Sequence, residues 1–206
     1  MSTDQVSDLE IEVKFYVRDL AAVEARLRKS AALLVQPRTH EINLRFDTPT
    51  GDLARSYRVL RLRQDTAARM TYKGPSQIQE GVRIRQEIEF TVGDFRSARK
   101  FLEAIGYQVS MIYEKYRTVY DLDRVHVALD ELPYGDFVEI EGPDAASIHS
   151  VNQVTGLNWE VSVPESYTML FERLRSEFNL PYRNLVFECF QGTGINVSKL
   201  NIKPAD

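Results

Sequence analysis

Cysteine is almost missing from this chain: Cys189 is the single one in 206 residues. A lone thiol can form neither an internal disulfide nor a cysteine metal cluster, and a reducing, cytoplasmic setting is the default expectation. No sequence feature places a base beside it, so packing is its expected role. Histidine is scarce and scattered, at His40, His126 and His149. Of these only His126 shares a strand face with another candidate, Asp130, and all three are expected at surface or wall positions. An excess of one charge sign is also lacking. Lys plus Arg number 26 and Asp plus Glu 30, for a net charge of −4. The overall field therefore selects no polyanion such as a nucleic acid, and any anion site must be built locally. Apolar runs fall far short of the ~20 residues of a membrane span. Residues 1–8 are polar and acidic, without the basic and apolar regions of a signal peptide. Internal repeats, low-complexity tracts and convincing linkers are absent as well.

What is present is ordinary in amount and unusual in order. Hydrophobic residues make up 43% and charged residues 27%, which suits one globular domain with a sizeable core. The organising stretch is 9–15. There Leu9, Ile11, Val13 and Phe15 alternate with Glu10, Glu12 and Lys14, a period of two that predicts a strand. Asp19 can cap a helix over 20–29. Residues 33–46 read as one or two strands interrupted near Pro37, and 47–52 as a loop. The strand over 57–64 sets Leu60 and Leu62 against Arg61 and Arg63. A short strand over 69–73 is expected to stop at Gly74-Pro75, leaving 76–81 as a polar loop. Along 82–92, Arg83, Arg85, Glu87 and Glu89 share a face. Asp94 opens a helix over 95–104, and Gly106 closes it. Strands follow over 107–120, 124–131 and 137–141, carrying Lys115, Arg117, Asp130, Glu139 and Glu141. Helices over 144–154 and 166–178 complete the periodic part. Residues 1–8 read as a disordered terminus, 9–180 as the domain, and 181–206 as an extension of open role. Trp159, Tyr72 and Tyr116 are assigned to packing or to outward faces.

Strands with one apolar and one charged face allow two architectures. Either an open sheet exposes its charges, or the sheet closes into a barrel with charge inside and helices outside. The cations on the suspected face are Lys14, Arg61, Arg63, Lys73, Arg83, Arg85, Lys115 and Arg117. The anions are Glu10, Glu12, Glu87, Glu89, Asp130, Glu139 and Glu141. Their near-balance suits an exposed salt-bridge lattice and an enclosed channel equally, since an unpaired enclosed charge would be very costly. Paired guanidinium and ammonium groups on several strands match recognition of several phosphates. Glu-x-Glu pairs without a His or Cys cluster suit Mg²⁺ or Mn²⁺.

The order of these motifs resembles the CYTH superfamily, the triphosphate tunnel metalloenzymes. Glu10-Ile11-Glu12-Val13-Lys14 matches its E-x-E-x-K signature. Phe46-Asp47-Thr48-Pro49, Leu60-Arg61-Leu62-Arg63, Tyr72-Lys73-Gly74-Pro75, Arg85-Gln86-Glu87-Ile88-Glu89, Glu114-Lys115-Tyr116-Arg117 and Ala128-Leu129-Asp130-Glu131 follow in the expected sequence. Gly135 through Glu141 comes next, and Ser166-Tyr167 with Leu170 is similar to the terminal helix of the class IV adenylyl cyclase branch. The resemblance covers residues 9 to about 175. It implies an α+β fold, a closed eight-stranded antiparallel barrel around a tunnel with helices packed outside. It further implies that Glu10, Glu12 and Glu141, with Glu139 and Asp130, hold one or two Mg²⁺ or Mn²⁺ ions. Lys14, Arg61, Arg63, Lys73, Lys115 and Arg117 would line the opposite wall and bind triphosphate oxygens. Arg85 belongs with them or, beside Glu87 and Glu89, to a salt-bridged wall. The implied catalytic set is Glu10, Glu12, Lys14 and Glu141.

Three functions compete. One is metal-dependent hydrolysis of inorganic tripolyphosphate or of a nucleoside or thiamine triphosphate. The second is class IV adenylyl cyclase chemistry on ATP, and the third is non-catalytic polyphosphate binding. The complete set of implied metal ligands argues against the third. Every matched motif serves triphosphate and metal and none specifies adenine, which favours hydrolysis, whereas the terminal helix pulls toward the cyclase. The expected partner is a small-molecule triphosphate, without nucleic acid or membrane, and a homodimer is compatible with the sequence.

Overall fold

The computed structural model describes residues 8–206, so the expected fraying of Met1 to Ser7 lies outside the described residues. Alternation becomes strand wherever it was regular: β1 (Leu9–Val17), β2 (Leu33–Asp47), β3 (Val59–Gln64), β4 (Ala68–Gln79), β5 (Val82–Val92), β6 (Gln108–Leu122), β7 (Val125–Leu132) and β8 (Gly135–Glu141). They close into an antiparallel barrel in the order β1-β5-β4-β3-β2-β6-β7-β8. The first strand seals it: Glu12 stands opposite Arg83 of β5 on one side and Glu141 of β8 on the other. Closure leaves the sheet no free edges, and burial of Glu10, Glu12, Lys14, Arg61 and Asp130 shows that its charged face points inward, which decides between the two architectures.

One expected stop is absent. β4 runs through Gly74-Pro75, with a register shift between Lys73 and Ser76 against β5. The shift absorbs the proline, which lacks a ladder N–H, so the strand bends there and does not end. The tight turn then falls at Glu80 and Gly81, both at positive φ. Near Pro37, by contrast, β2 shows the expected irregularity against β6 and still continues as one strand.

Helices cover the outside. Asp19 caps α1 (Leu20–Lys29) by accepting from the Ala22 N–H, and Asp94 does the same for α3 (Phe95–Ala104) through Ser97. A four-residue helix, α2 (Asp52–Arg55), lies within the expected 47–52 loop region and beyond it. The α1 helix and α4 (Ala145–Thr155) pack Val23, Leu27, Ile148 and Val151 against Phe15, Val127, Val138 and Ile140. Leu102 of α3 meets Leu44, Phe46 and Leu62.

The third cluster lies at the end of the barrel where β1 finishes and β8 begins. Inward side chains there turn aromatic, with Tyr16, Tyr113 and Phe137, and α5 (Tyr167–Glu177) packs Leu170, Phe171 and Leu174 onto them. Residues 181–206 belong to this packing. Leu185, Phe190 of α6 (Phe187–Phe190), Val197 and Leu200 are all buried in it. Cys189 is half-buried and free, consistent with a packing role. Among the described residues no helix is long and apolar enough to cross a membrane.

Candidate functional site: a charged channel inside the barrel

Because successive side chains of a strand alternate between faces, each charged motif delivers its ionic groups to the barrel interior. Glu10, Glu12, Lys14, Arg61, Lys73, Lys115 and Asp130 are buried there. Arg63, Arg85, Arg117 and Glu139 are nearly so. The acids and bases do not segregate to opposite walls. They interleave, because each enclosed charge takes the nearest opposite partner.

Three groups result. On β1, β4 and β5, Glu10 lies between Lys73 Nζ (2.7 Å) and the Arg85 guanidinium, which donates to it. Arg83 Nη1 is 3.1 Å from Glu12, and Lys73 also reaches Glu87 at 2.9 Å. Burial would raise the Glu10 carboxyl, but Lys73 and Arg85 outweigh it and hold the group well below the usual range. On β1, β6, β7 and β8, Lys14 pairs with Glu139 at 3.1 Å, and Arg117 donates to both Glu139 and Asp130. Asp130 accepts from Lys115 Nζ at 3.0 Å and from the Tyr167 hydroxyl at 2.7 Å. On β2 to β5, Arg61 and Arg63 donate to Glu89 at 3.2 and 2.8 Å, and Arg61 also reaches the Tyr113 hydroxyl at 3.3 Å. Arg85, Glu87 and Glu89 are thus wall ion pairs in this arrangement.

Glu141 stands apart at the rim. Among the described residues no ion pair engages it, and enclosure followed by the negative charges of Glu10, Glu12 and Glu87 pushes its carboxyl up to about 7, against the pull of Lys73. Glu10, Glu12 and Glu141 therefore form a set of hard oxygen donors that repel one another, which is the donor chemistry a divalent cation requires. They fit such an ion by type. Among the described residues, however, no three acidic, His or Cys side chains are already gathered into a metal cage. Asp130 is differently placed: its oxygens are taken by Lys115, Arg117 and Tyr167.

Several wall residues were not singled out from the sequence. Glu41 is fully buried, Asn43 likewise, and Arg45 Nη1 donates to Thr168 Oγ1 at 2.7 Å. Tyr167 enters from the first turn of α5, with Lys14 Nζ 4.1 Å from its ring centroid. The loop before α5 is latched by the tunnel itself, since Arg83 donates to the Pro164 carbonyl and Lys14 lies 3.4 Å from that of Glu165. Beside this loop a cavity of about 220 Å³ opens onto Glu12, Lys14 and Arg83. His126 is more than half exposed and pairs with Asp121, and His149 stacks on Trp159 outside the barrel.

Comparison with known proteins adds three observations. A family model for the CYTH domain matches residues 8–153. Among solved structures, a candidate adenylate cyclase of Vibrio parahaemolyticus is similar at a TM-score of 0.72 and 21% identity, over 81% of this chain and 99% of that one. The PH1012 protein of Pyrococcus horikoshii is similar at 0.65 and 26%, over 77% and 96%. A candidate adenylyl cyclase of Hippeastrum, described as having a dominant triphosphatase activity, is similar at 0.61 and 18%, over 80% and 95%. No curated protein matches the chain.

Proposed function

Because the chain belongs to the CYTH domain family, we propose that it binds a triphosphate along the charged channel and hydrolyses it with the help of a divalent metal. The observation that carries this reading is the convergence of Lys14, Arg61, Arg63, Lys73, Lys115 and Arg117 from four strands into one enclosed space. Each is paired there with a carboxylate, and a more highly charged triphosphate can take over its donors. Arg61 and Arg63 present two guanidinium forks side by side on β3, suited to bidentate contact with neighbouring phosphoryl oxygens. Lys115 and Arg117 repeat the arrangement on β6, braced from behind by Asp130 and Tyr167.

Glu10, Glu12 and Glu141 would hold Mg²⁺ or Mn²⁺. When bound, the metal supplies charge neutralisation at phosphoryl oxygens and a more acidic water. Asp130 and Glu139 are assigned to holding the cations of the second group, a narrower role than direct ligation. Water exclusion comes from the aromatic end and α5, which strengthens every charge interaction inside. During phosphoryl transfer the fixed cations take up charge developing on the leaving phosphate.

A second reading, ATP cyclisation, is favoured by one feature. The Ser166-Tyr167 helix start docks directly onto Asp130 and Lys14, and the loop before it, Ser162 to Pro164, lines the 220 Å³ cavity, which leaves room beside Glu12, Lys14 and Arg83 for an organic group. Purified protein with ATP or tripolyphosphate and Mg²⁺ or Mn²⁺, assayed for phosphate, pyrophosphate and cyclic AMP, separates the two. Phosphate release without cyclic AMP is the expected result. Cyclic AMP with equimolar pyrophosphate transfers the assignment to the second reading, and no product from either substrate overturns both.

A further inference from the structure

Glu41 differs from the other buried acids of the channel wall. Glu10, Glu12 and Asp130 each accept hydrogen bonds from tunnel cations. The Glu41 side chain is 0% exposed, and neither of its oxygens accepts a hydrogen bond from any of the described residues. It lies on β2, between β3 and β6, and approaches one cradle cation on each side: Arg63 Nη1 at 3.8 Å and Lys115 Nζ at 3.7 Å. Burial works against its charge. Lys115, Arg117, Arg63 and Arg61 together outweigh that and hold its carboxyl at about 2, so it is ionised at any working pH. The partners Glu89 and Glu139 can yield Arg63 and Arg117 to an incoming phosphate. Glu41 is fully enclosed on the wall between Arg63 and Lys115.

Resting on the reading that this channel binds polyphosphate, we propose that Glu41 is a fixed counter-charge that limits how tightly the cradle holds phosphate and so lets the product leave. A wall of cations alone would hold both substrate and product tightly, and affinity shared by ground state and transition state does not speed the chemical step. A buried anion a few ångströms behind the binding groups lowers both affinities and takes no N–H donor from the ligand. Glu41 is thus a positioning and tuning residue and does not touch the substrate.

The test is calorimetric titration of pyrophosphate into metal-free protein in the presence of EDTA, using wild type, Glu41→Asp and Glu41→Gln. Removing the charge should tighten pyrophosphate binding by about tenfold in Glu41→Gln. Drawing the carboxylate back toward β2 in Glu41→Asp should tighten it by about two- to threefold. A wall residue with only a structural part would weaken binding or leave it unchanged when altered. Equal or weaker binding by folded Glu41→Gln therefore overturns the proposal. Should that variant not fold, equal or weaker binding by Glu41→Asp overturns it on its own. Wild-type protein that binds no pyrophosphate removes the channel reading and this inference with it, whereas a wild type that binds beside a flat series removes only the role of Glu41.

Discussion

The two ends of one barrel interior are built from the same strands and held by different forces. Along β1 the inward positions read Glu10, Glu12, Lys14 and then Tyr16; along β8, Glu141, Glu139 and then Phe137; along β6, Arg117, Lys115 and then Tyr113; along β7, Asp130 and then Leu132. The pleat sends every one of these inward. At the aromatic end, burial of Tyr134, Phe137, Phe171 and Leu174 against α5 and the last residues is net stabilising, at roughly 1.5–3 kcal/mol per large side chain. At the charged end, desolvation roughly cancels attraction, so the ion pairs add little net stability and are expensive to break singly. Stability is concentrated at one end and ligand chemistry at the other.

That division can be broken most forcefully from the aromatic end. Phe171, fully buried, lies in the aromatic cluster with its ring centroid 6.1 Å from that of Phe190. Phe171→Ala should lower stability by about 3–5 kcal/mol in urea titrations, with kcat/KM per folded molecule within about twofold of wild type. A comparable collapse of kcat/KM in the folded fraction would show that the two ends are not separable. From the charged end, Glu12→Gln should reduce turnover by about a hundredfold, or ~2.7 kcal/mol in the barrier. Its urea midpoint should move less than that of Phe171→Ala, and the opposite ranking would make Glu12 a structural ion pair.

The smallest effect sharpens the comparison through pH. Asp136 is the second residue of β8, at the aromatic end, and burial followed by Glu131 pushes its carboxyl from 3.8 up to about 6. The native state therefore binds the proton more tightly than the unfolded chain. The stability contribution is greatest below about pH 4, falls as pH rises from about 4 to 6, and stays lower above that. Asp136→Asn should gain on the order of 1 kcal/mol at pH 8, discounted for partial exposure, and nothing at pH 4. A gain independent of pH would show that the substitution acts through packing.

Much of this division was legible in sequence, and the illegible part has physical causes. β1, α1, β5 and α3 carry unbroken periodicity with capping aspartates, and they fall where the pattern places them. The motif acids and bases reach one interior because the period of two leaves them no other face once the barrel closes. Gly74-Pro75 misled because proline usually ends a strand, and only the partner's register reveals a bulge. Glu41 is a lone acid beside Asn43, in a stretch without a charge pair to mark it. Tyr113 reads as ordinary packing, and its contact with Arg61 depends on the barrel's closure. Tyr167 reaches Asp130 from a helix, so its direction is set by how α5 docks and not by any local pattern. Cation and anion placement misled most, since pairing across strands is decided by neighbours that are distant in sequence.

The dual pairing of β1 also has a kinetic consequence. Its partners, β5 and β8, lie some 70 and 130 residues downstream, judged from Glu12 opposite Arg83 and Glu141. During synthesis the first strand emerges long before either of them, and with it the Glu10-Glu12-Lys14 triplet. Hairpins such as β3–β4 and β7–β8 can form locally, but the ring is completed only when these two distant pairings and that of β2 with β6 have formed. Loops of this length slow the search for native contacts, and folding in about the millisecond-to-second range is expected of such a topology. Until then the strand that defines the site is an unpaired edge, and its alternating charges guard the newborn chain against edge-to-edge association.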